Sequence, residues 1–322
     1  MSKSTTHTHL KRGERENIGD TNLSPFQNEG KTAKLHTSNI SRLVSIAIGS
    51  AKIKKLVLQE KNGPKQIRAQ MHVILRARTG AGKSTILAEI AKHEGREVVD
   101  EITRAGLVGS IDQRVMQLIP GAAWTYRNGI VPFDEFRFRR QSDDWVVFLK
   151  LLEDQTYSRK LGVFSSTLDL QDGDLYLRQR DGQIKMRTRF AAVIGTMRNF
   201  KLVQSLEFKA FINRCVPYQY DFTDAELEGI ARGDEIVKIK EYKPDEEIEI
   251  KKSAYFKIVR FVRNYMRVGR EATRKENFLR AVGDLCRVRA VEGDLSLRFA
   301  KQIIDWKVRA YDEIGAYYGR KK

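Results

Sequence analysis

The stretch MHVILRARTGAGKSTILAEI, residues 71–90, limits what this chain can fold into more than any other part of it. Met71 to Leu75 is a short unbroken apolar run, the pattern of a strand buried on both faces, and Thr85 to Lys92 has the composition of a helix. Between them stand Thr79, Gly80, Ala81, Gly82, Lys83 and Ser84, with Thr85 opening the helical run. Glycines at such a turn let successive backbone N–H groups point inward on a polyphosphate. A lysine can then reach the β and γ oxygens, and a hydroxyl serves Mg²⁺. Ala77 occupies the place where this pattern usually has its first glycine. The helix that follows aims the positive end of its dipole at the same point. A strand, a phosphate-binding turn and a helix in this order predict an α/β fold whose natural ligand is a nucleotide, with Mg²⁺ at Ser84.

GIVPFDEFRF, residues 129–138, supplies a second chemical pattern. An apolar run ending in Asp134 and Glu135 suits a nucleotide hydrolase. The first carboxylate can hold Mg²⁺ through water, and the second can orient or deprotonate the attacking water. Pro132 cannot donate to a sheet ladder and so predicts one-sided or irregular pairing there.

The remaining sequence sets limits on function. At 322 residues and 41% hydrophobic content the chain can fill one large α/β core with a smaller attachment. No run approaches the length of a membrane span, and the N-terminus has no apolar signal segment, so a cytoplasmic protein with no membrane partner is expected. Cys215 and Cys286 are the two cysteines, and with the five histidines they form no metal-ligand spacing. Residues 1–36 are polar, lack an apolar period and are expected to be disordered; they carry six basic against four acidic residues, so little of the +18 net charge lies there. Residues 251–322 hold 19 Lys and Arg against 8 Asp and Glu, which favours a polyanionic partner, nucleic acid first. Ile258, Phe261, Val262, Tyr265 and Met266 mark one helix in this region, and Thr273 with Glu276 marks the capped start of another through Leu279, Val282 and Leu285.

The runs RAGLVGSI (104–111), PGAAWTYRNGIVPFDEF (120–136), LLEDQTYSRK (151–160) and KAFINRCVPYQYDF (209–222) resemble, in order and spacing, the ATPase core of the minichromosome-maintenance replicative helicases, members of the AAA+ superfamily. The resemblance spans roughly residues 38–315. It implies an α/β P-loop NTPase core with a central parallel sheet (37–235), a pre-sensor β-hairpin and a small basic helical subdomain (236–322). It implies an ATP-hydrolysing enzyme that binds ATP and Mg²⁺, assembles as a homo-oligomer, expected as a hexamer, and acts on single-stranded or forked DNA in replication. An N-terminal oligonucleotide-binding domain and a C-terminal winged helix are not expected. By the same likeness Lys83 and Ser84 bind phosphate and metal, and Asp134 and Glu135 take the roles given above. Thr196, with Asn199 as the alternative, ends the sensor strand RFAAVIGTM (189–197), and Arg214 matches an arginine finger that acts across a subunit boundary. Asn277 falls where a second sensor arginine is expected, with Arg274 or Arg280 as substitutes about one turn away.

GVFSSTLDLQDGDLYLRQRDGQIKMRTRF, residues 162–190, contains two Asp-Gly pairs between strand-like runs, the signature of hairpins. Around the second pair Arg178, Arg180, Lys185, Arg187 and Arg189 alternate with Leu175, Leu177, Ile184 and Met186, so the cations should share a face or crowd the tip. Such a face can track a nucleic-acid backbone without reading sequence, or it can be a solvated edge kept from aggregating by charge. The combined expectation is a DNA translocase or helicase. A helicase loader or initiator switch, a protein remodeller and a nucleotide-binding pseudo-enzyme are the alternatives.

Overall fold

The computed structural model describes residues 25–100, 103–112, 114, 117–134, 143–160, 167–197, 206–233, 236–267 and 275–318. Its elements begin with α1 (Pro25–Ala51), β1 (Lys55–Glu60), β2 (Gly63–Ile67), β3 (His72–Arg76) and α2 (Lys83–His93). Then come α3 (Arg104–Val108), β4 (Gly109–Asp112), β5 (Gln117–Pro120), α4 (Ala122–Thr125), β6 (Gly129–Phe133) and α5 (Asp143–Glu153). Four strands follow, β7 (Thr156–Lys160), β8 (Leu168–Asp172), β9 (Leu175–Arg180) and β10 (Gln183–Arg187), before β11 (Phe190–Thr196), α6 (Leu206–Arg214) and β12 (Cys215–Gln219). The chain closes with α7 (Asp224–Ala231), β13 (Glu247–Ile250), α8 (Lys252–Arg267), α9 (Lys275–Glu292) and α10 (Leu297–Tyr318).

Two sheets with opposite sequence patterns organise the molecule. The first is a parallel sheet in the order β12-β3-β11-β6. Every residue of β6 and β11 is buried, as is all of β3 before Arg76, because helices cover both faces of a parallel sheet and leave neither to water. Alternate side chains serve the two sides. Val73, Leu75, Ala191 and Val193 join the core beneath α1, α2 and α9, while Ile74, Phe190, Ala192 and Ile194 join the core of α3 to α6. Pro132 sits in β6, where its carbonyl accepts from Val99 N–H at 2.9 Å and Val99 adds one parallel bridge to Phe133. The nitrogen that cannot donate therefore faces that single bridge, and the ladder to β11 is intact, as one-sided pairing requires.

The second sheet is antiparallel, in the order β7-β10-β9-β8. Its strands alternate: Leu175, Leu177, Ile184 and Met186 are buried while Tyr176, Arg178, Lys185 and Arg187 are not. Asp181 and Gly182 have φ of 51° and 66°, the pair of positive values that a two-residue hairpin turn matched to strand twist demands. A third sheet, β13-β1-β2, and the β4-β5 pair complete the strands.

Helix α1 reaches back to Pro25, across the boundary expected near residue 36. Its buried half, from Ile40 to Ala51, packs on β11, β6 and β3, and once such a nucleus exists each further residue adds a backbone hydrogen bond at little cost. Among the C-terminal helices α9 packs on α1 and α10 on β12 and α6, so these helices share the core of the sheet. Asp284 of α9 pairs with Arg287 at 2.8 Å and with Lys307 of α10, all three nearly excluded from solvent. Ile258 and Val262 face inward on α8, as do Val282 and Leu285 on α9, whereas Leu279 is half exposed. Of the capping residues expected at Thr273 and Glu276, Thr273 lies outside the described residues, and α9 begins at Lys275. No helix among the described residues is long and apolar enough to cross a membrane.

Candidate functional site

The C-terminal ends of the parallel strands bring one set of expected residues together. The loop from Ala77 to Gly82 leaves β3, and Gly80 and Gly82 have φ of 78° and 67°, which glycine adopts without strain. Ala77 is not among the residues with positive φ; it is buried, and its N–H donates to Thr196 O at 3.4 Å. A side chain is therefore tolerated at the position where the pattern usually has glycine. Gly82 caps α2 without a side-chain hydrogen bond, and the first turn holds no acid, so its N–H groups have no competing carboxylate of their own. Ser84 and Thr85 are exposed at that helix start, as are Thr79 and Gly80 in the loop. Lys83 is buried and donates to the carbonyls of Ala77 at 3.1 Å and Arg78 at 2.5 Å. Thr79 Oγ1 contacts Met197 Sδ at 3.2 Å, and Ala81 is buried beneath the turn.

Asp134 follows β6 on the same edge. Its Oδ1 lies 3.2 Å from the point where a Cβ on Gly195 would stand, so a side chain at 195 would crowd the carboxylate against β11. Thr196, buried, ends β11 beside Arg76 in register. Lys83, Ser84, Asp134 and Thr196 thus converge at the carboxyl ends of the strands, where open α/β sheets receive ligands. This donor set suits a nucleotide with Mg²⁺: a cation for phosphate, a hydroxyl and a carboxylate for a hard metal, and a loop shaped by glycine. Glu135, Asn199 and Arg274 lie outside the described residues.

Arg214 and Arg280 stand elsewhere. Arg214 ends α6, directly before Cys215 pairs with His72 at the opposite end of the sheet from the loop. Its Nε lies 2.9 Å from Glu153 Oε2, and its Nη1 donates to Ala210 O at 2.7 Å. Arg280 on α9 reaches the same carboxylate, 3.2 Å from Oε1. Burial pushes the Glu153 carboxyl up, but Arg68, Arg280 and Arg214 outweigh it and hold the group below the usual carboxylate range. Asn277 is buried on α9. Sequence spacing offered no signal for Glu153, which lies 127 residues from Arg280; it occurs in LLEDQTYSRK but no pattern marks its role.

Arg178, Arg180, Lys185 and Arg187 share the outer face of the antiparallel sheet, with Arg178 directly opposite Lys185. Asp169 on β8, opposite Arg178, accepts from Arg178 Nε at 3.0 Å and Arg180 Nη2 at 2.5 Å, while Arg187 lies 3.6 Å from Asp174. The alternation LDLQD puts Asp169 and Gln171 on one face of β8, with Asp169 directly opposite Arg178. Arg189 is a correction to the expected stripe. It is 5% exposed, and Asn128 and Asp174 accept from it at 2.9 and 3.4 Å, because it lies past the end of β10 where the chain turns into the parallel sheet.

His72 begins β3 as a buried, neutral side chain. Its Nδ1 accepts from Ala192 N–H and its Nε2 donates to Leu152 O, both at 3.0 Å, which fixes the tautomer. Burial and then Arg68 push it well below its ordinary value. A comparison with protein-family models finds no match for this chain, and neither does a comparison with curated proteins.

Proposed function

We propose that this chain is an ATP-hydrolysing, ring-forming DNA translocase or helicase, built on a P-loop core of the AAA+ type and resembling the minichromosome-maintenance helicases. The observation that carries the reading is the division of residues between the two ends of one sheet. Lys83, Ser84, Asp134 and Thr196 lie at the carboxyl end, and Arg214 lies at the amino end of β12, beside the start of β3. Strand β3 has five residues, which at about 3.3 Å each separate the two ends by roughly 16 Å, more than an arginine side chain spans. Arg214 therefore cannot reach a phosphate held by its own Lys83, but it can reach one held by a second copy. An interface joining the amino end of one subunit to the carboxyl end of the next is heterologous, and such contacts close into rings when the rotation permits.

In the working cycle Lys83 leaves the Ala77 and Arg78 carbonyls for the β and γ oxygens, and the N–H groups at the start of α2 cradle the phosphates. Ser84 and Asp134 would hold Mg²⁺, which when bound would neutralise charge on the transferred phosphoryl group. Glu135 orients and deprotonates the attacking water, Thr196 fixes that water or the γ-phosphate, and Arg214 of the neighbouring copy stabilises developing charge. The outer face with Arg178, Arg180, Lys185 and Arg187 grips the DNA backbone, and β10 runs through Thr188 and Arg189 directly into β11. Movement of the gripping sheet is thereby linked to the strand that ends in Thr196. The test is ATP turnover with and without single-stranded DNA: turnover stimulated by DNA and abolished in Lys83→Ala supports the reading, and turnover indifferent to DNA in the wild type defeats it.

A further inference from the structure

Helix α8, KSAYFKIVRFVRNYMR, contains lysines and arginines but no acidic residue. One side of it is spent on the core: Tyr255, Ile258 and Val262 are buried, and the helix packs on α9 and β1. At about 3.6 residues per turn, Lys252, Phe256, Arg260 and Arg263 form a row along the opposite side, with Lys257 at its flank. All five are exposed.

The four cations of this face have no ion pair or hydrogen bond among the described residues. Two carboxylates that reach α8 pair instead with its tyrosines: Tyr255 donates to Glu60 Oε1 at 3.2 Å, and Tyr265 donates to Asp305 Oδ1 at 2.7 Å. The antiparallel sheet differs, since Asp169 takes up Arg178 and Arg180 and Asp174 lies near Arg187. A phosphate that meets α8 therefore displaces no carboxylate. The two surfaces also rise from different cores. Ile258 and Val262 join the core beneath α1, α2 and α9, whereas Leu175 and Leu177 join the core of α3 to α6.

The buried side and Phe256 decide which polyanion fits. A basic amphipathic helix binds a membrane through its apolar side, and here that side is already covered. Phe256 is 41% exposed, one turn from Lys252 and one turn from Arg260. An unstacked base can lie on such a ring while its phosphates meet the cations on either side, whereas a duplex keeps its bases stacked on one another. We propose that the exposed row of α8 is a binding surface for single-stranded nucleic acid, with Lys252, Lys257, Arg260 and Arg263 on the phosphates and a base stacked on Phe256. The surface needs no nucleotide and does not rest on the nucleotide reading.

The test is binding of a labelled single-stranded oligonucleotide to the nucleotide-free protein, followed by fluorescence anisotropy across salt concentrations. Replacing the four cations with alanine should flatten the slope of log affinity against log salt by about 3, and Arg260→Ala alone by about 0.7. Phe256→Leu, which keeps an apolar side chain but no stacking face, should weaken binding about tenfold with the slope unchanged. Phe256→Trp should bind at least as tightly as the wild type. On an abasic strand of the same length Phe256→Leu should have no effect. The same losses should appear when the α8 substitutions are added to the protein already lacking Arg178, Arg180, Lys185 and Arg187. An unchanged slope in the four-residue variant, or no binding by the wild type, overturns the surface. Equal loss with intact and abasic strands overturns the stacking, and a slope change seen with duplex alone overturns the single-stranded occupant. Absence of ATP hydrolysis defeats the proposed motor, while the anisotropy still decides α8.

Discussion

Replacing Arg178, Arg180, Lys185 and Arg187 together with alanine tests whether the outer face of the antiparallel sheet holds nucleic acid. The size of the effect follows from the ion pairs already present. Arg178 and Arg180 share Asp169, and Arg187 lies near Asp174, so these cations must exchange a carboxylate for phosphate, and the four side chains are expected to supply about three net contacts. Each contact adds about 0.7 to the slope of log affinity against log salt for a single strand, so the quadruple variant should flatten that slope by about 2. Between about 50 and 200 mM salt the ratio of wild-type to variant affinity should then shrink by roughly 20-fold. Fluorescence anisotropy with a labelled oligonucleotide measures this directly. Asp169→Asn supplies a change of opposite sign: it releases Arg178 and Arg180 and should tighten binding and steepen the slope. An unchanged slope in the quadruple variant, or weaker binding in Asp169→Asn, would refute the reasoning and move the contact to the basic C-terminal helices.

Three further outcomes follow from the site. Lys83→Ala should abolish nucleotide binding because the phosphate cation is gone, whereas Glu135→Gln should bind and retain ATP; filter binding that shows equal loss in both would contradict the assigned roles. Arg214→Ala should keep ATP binding yet lower turnover by about 10³-fold or more, and mixing it with Lys83→Ala should restore activity where the two variants meet, which a coupled ATPase assay reads. Acidification should destabilise the fold through His72. The folded state holds its neutral form while the unfolded chain takes up a proton near pH 6.5, so stability is full above that pH and falls below it by up to about 1.4 kcal/mol per pH unit; denaturant titrations of the wild type and His72→Gln should show the steeper fall in the wild type.

Local chemistry was the legible part. The strand, the glycine turn, the helix and the carboxylate at the end of β6 each occupy a few consecutive residues whose backbone demands are visible in their own side chains. The turn at Asp181 and Gly182 and the shared face of Arg178 and Lys185 were readable for the same reason, since period-two alternation places every second residue on one side. Long-range contacts were not legible. Glu153 draws in Arg214 and Arg280 from distant segments, and nothing in its neighbours distinguishes it from a helix-terminal acid. The β4-β5 pair was also hidden, because GSID and QLIP show no polar-apolar alternation in sequence; its close fit shows instead at Gly109 and Gly121, where an added Cβ would lie 2.3 Å from Ile119 O and 2.6 Å from Leu107 O. Arg189 continued the alternation in sequence, but the strand had already ended at Arg187.

The most direct test of an ATP-driven motor is separation of a forked DNA duplex, followed with ATP for the wild type and for Glu135→Gln. A translocase of the proposed kind separates the strands only while it hydrolyses ATP, so the wild type should unwind the fork and Glu135→Gln, which binds ATP without turning it over, should not. Equal separation by both proteins, or none by a wild type that hydrolyses ATP at its full DNA-stimulated rate, would contradict the proposal.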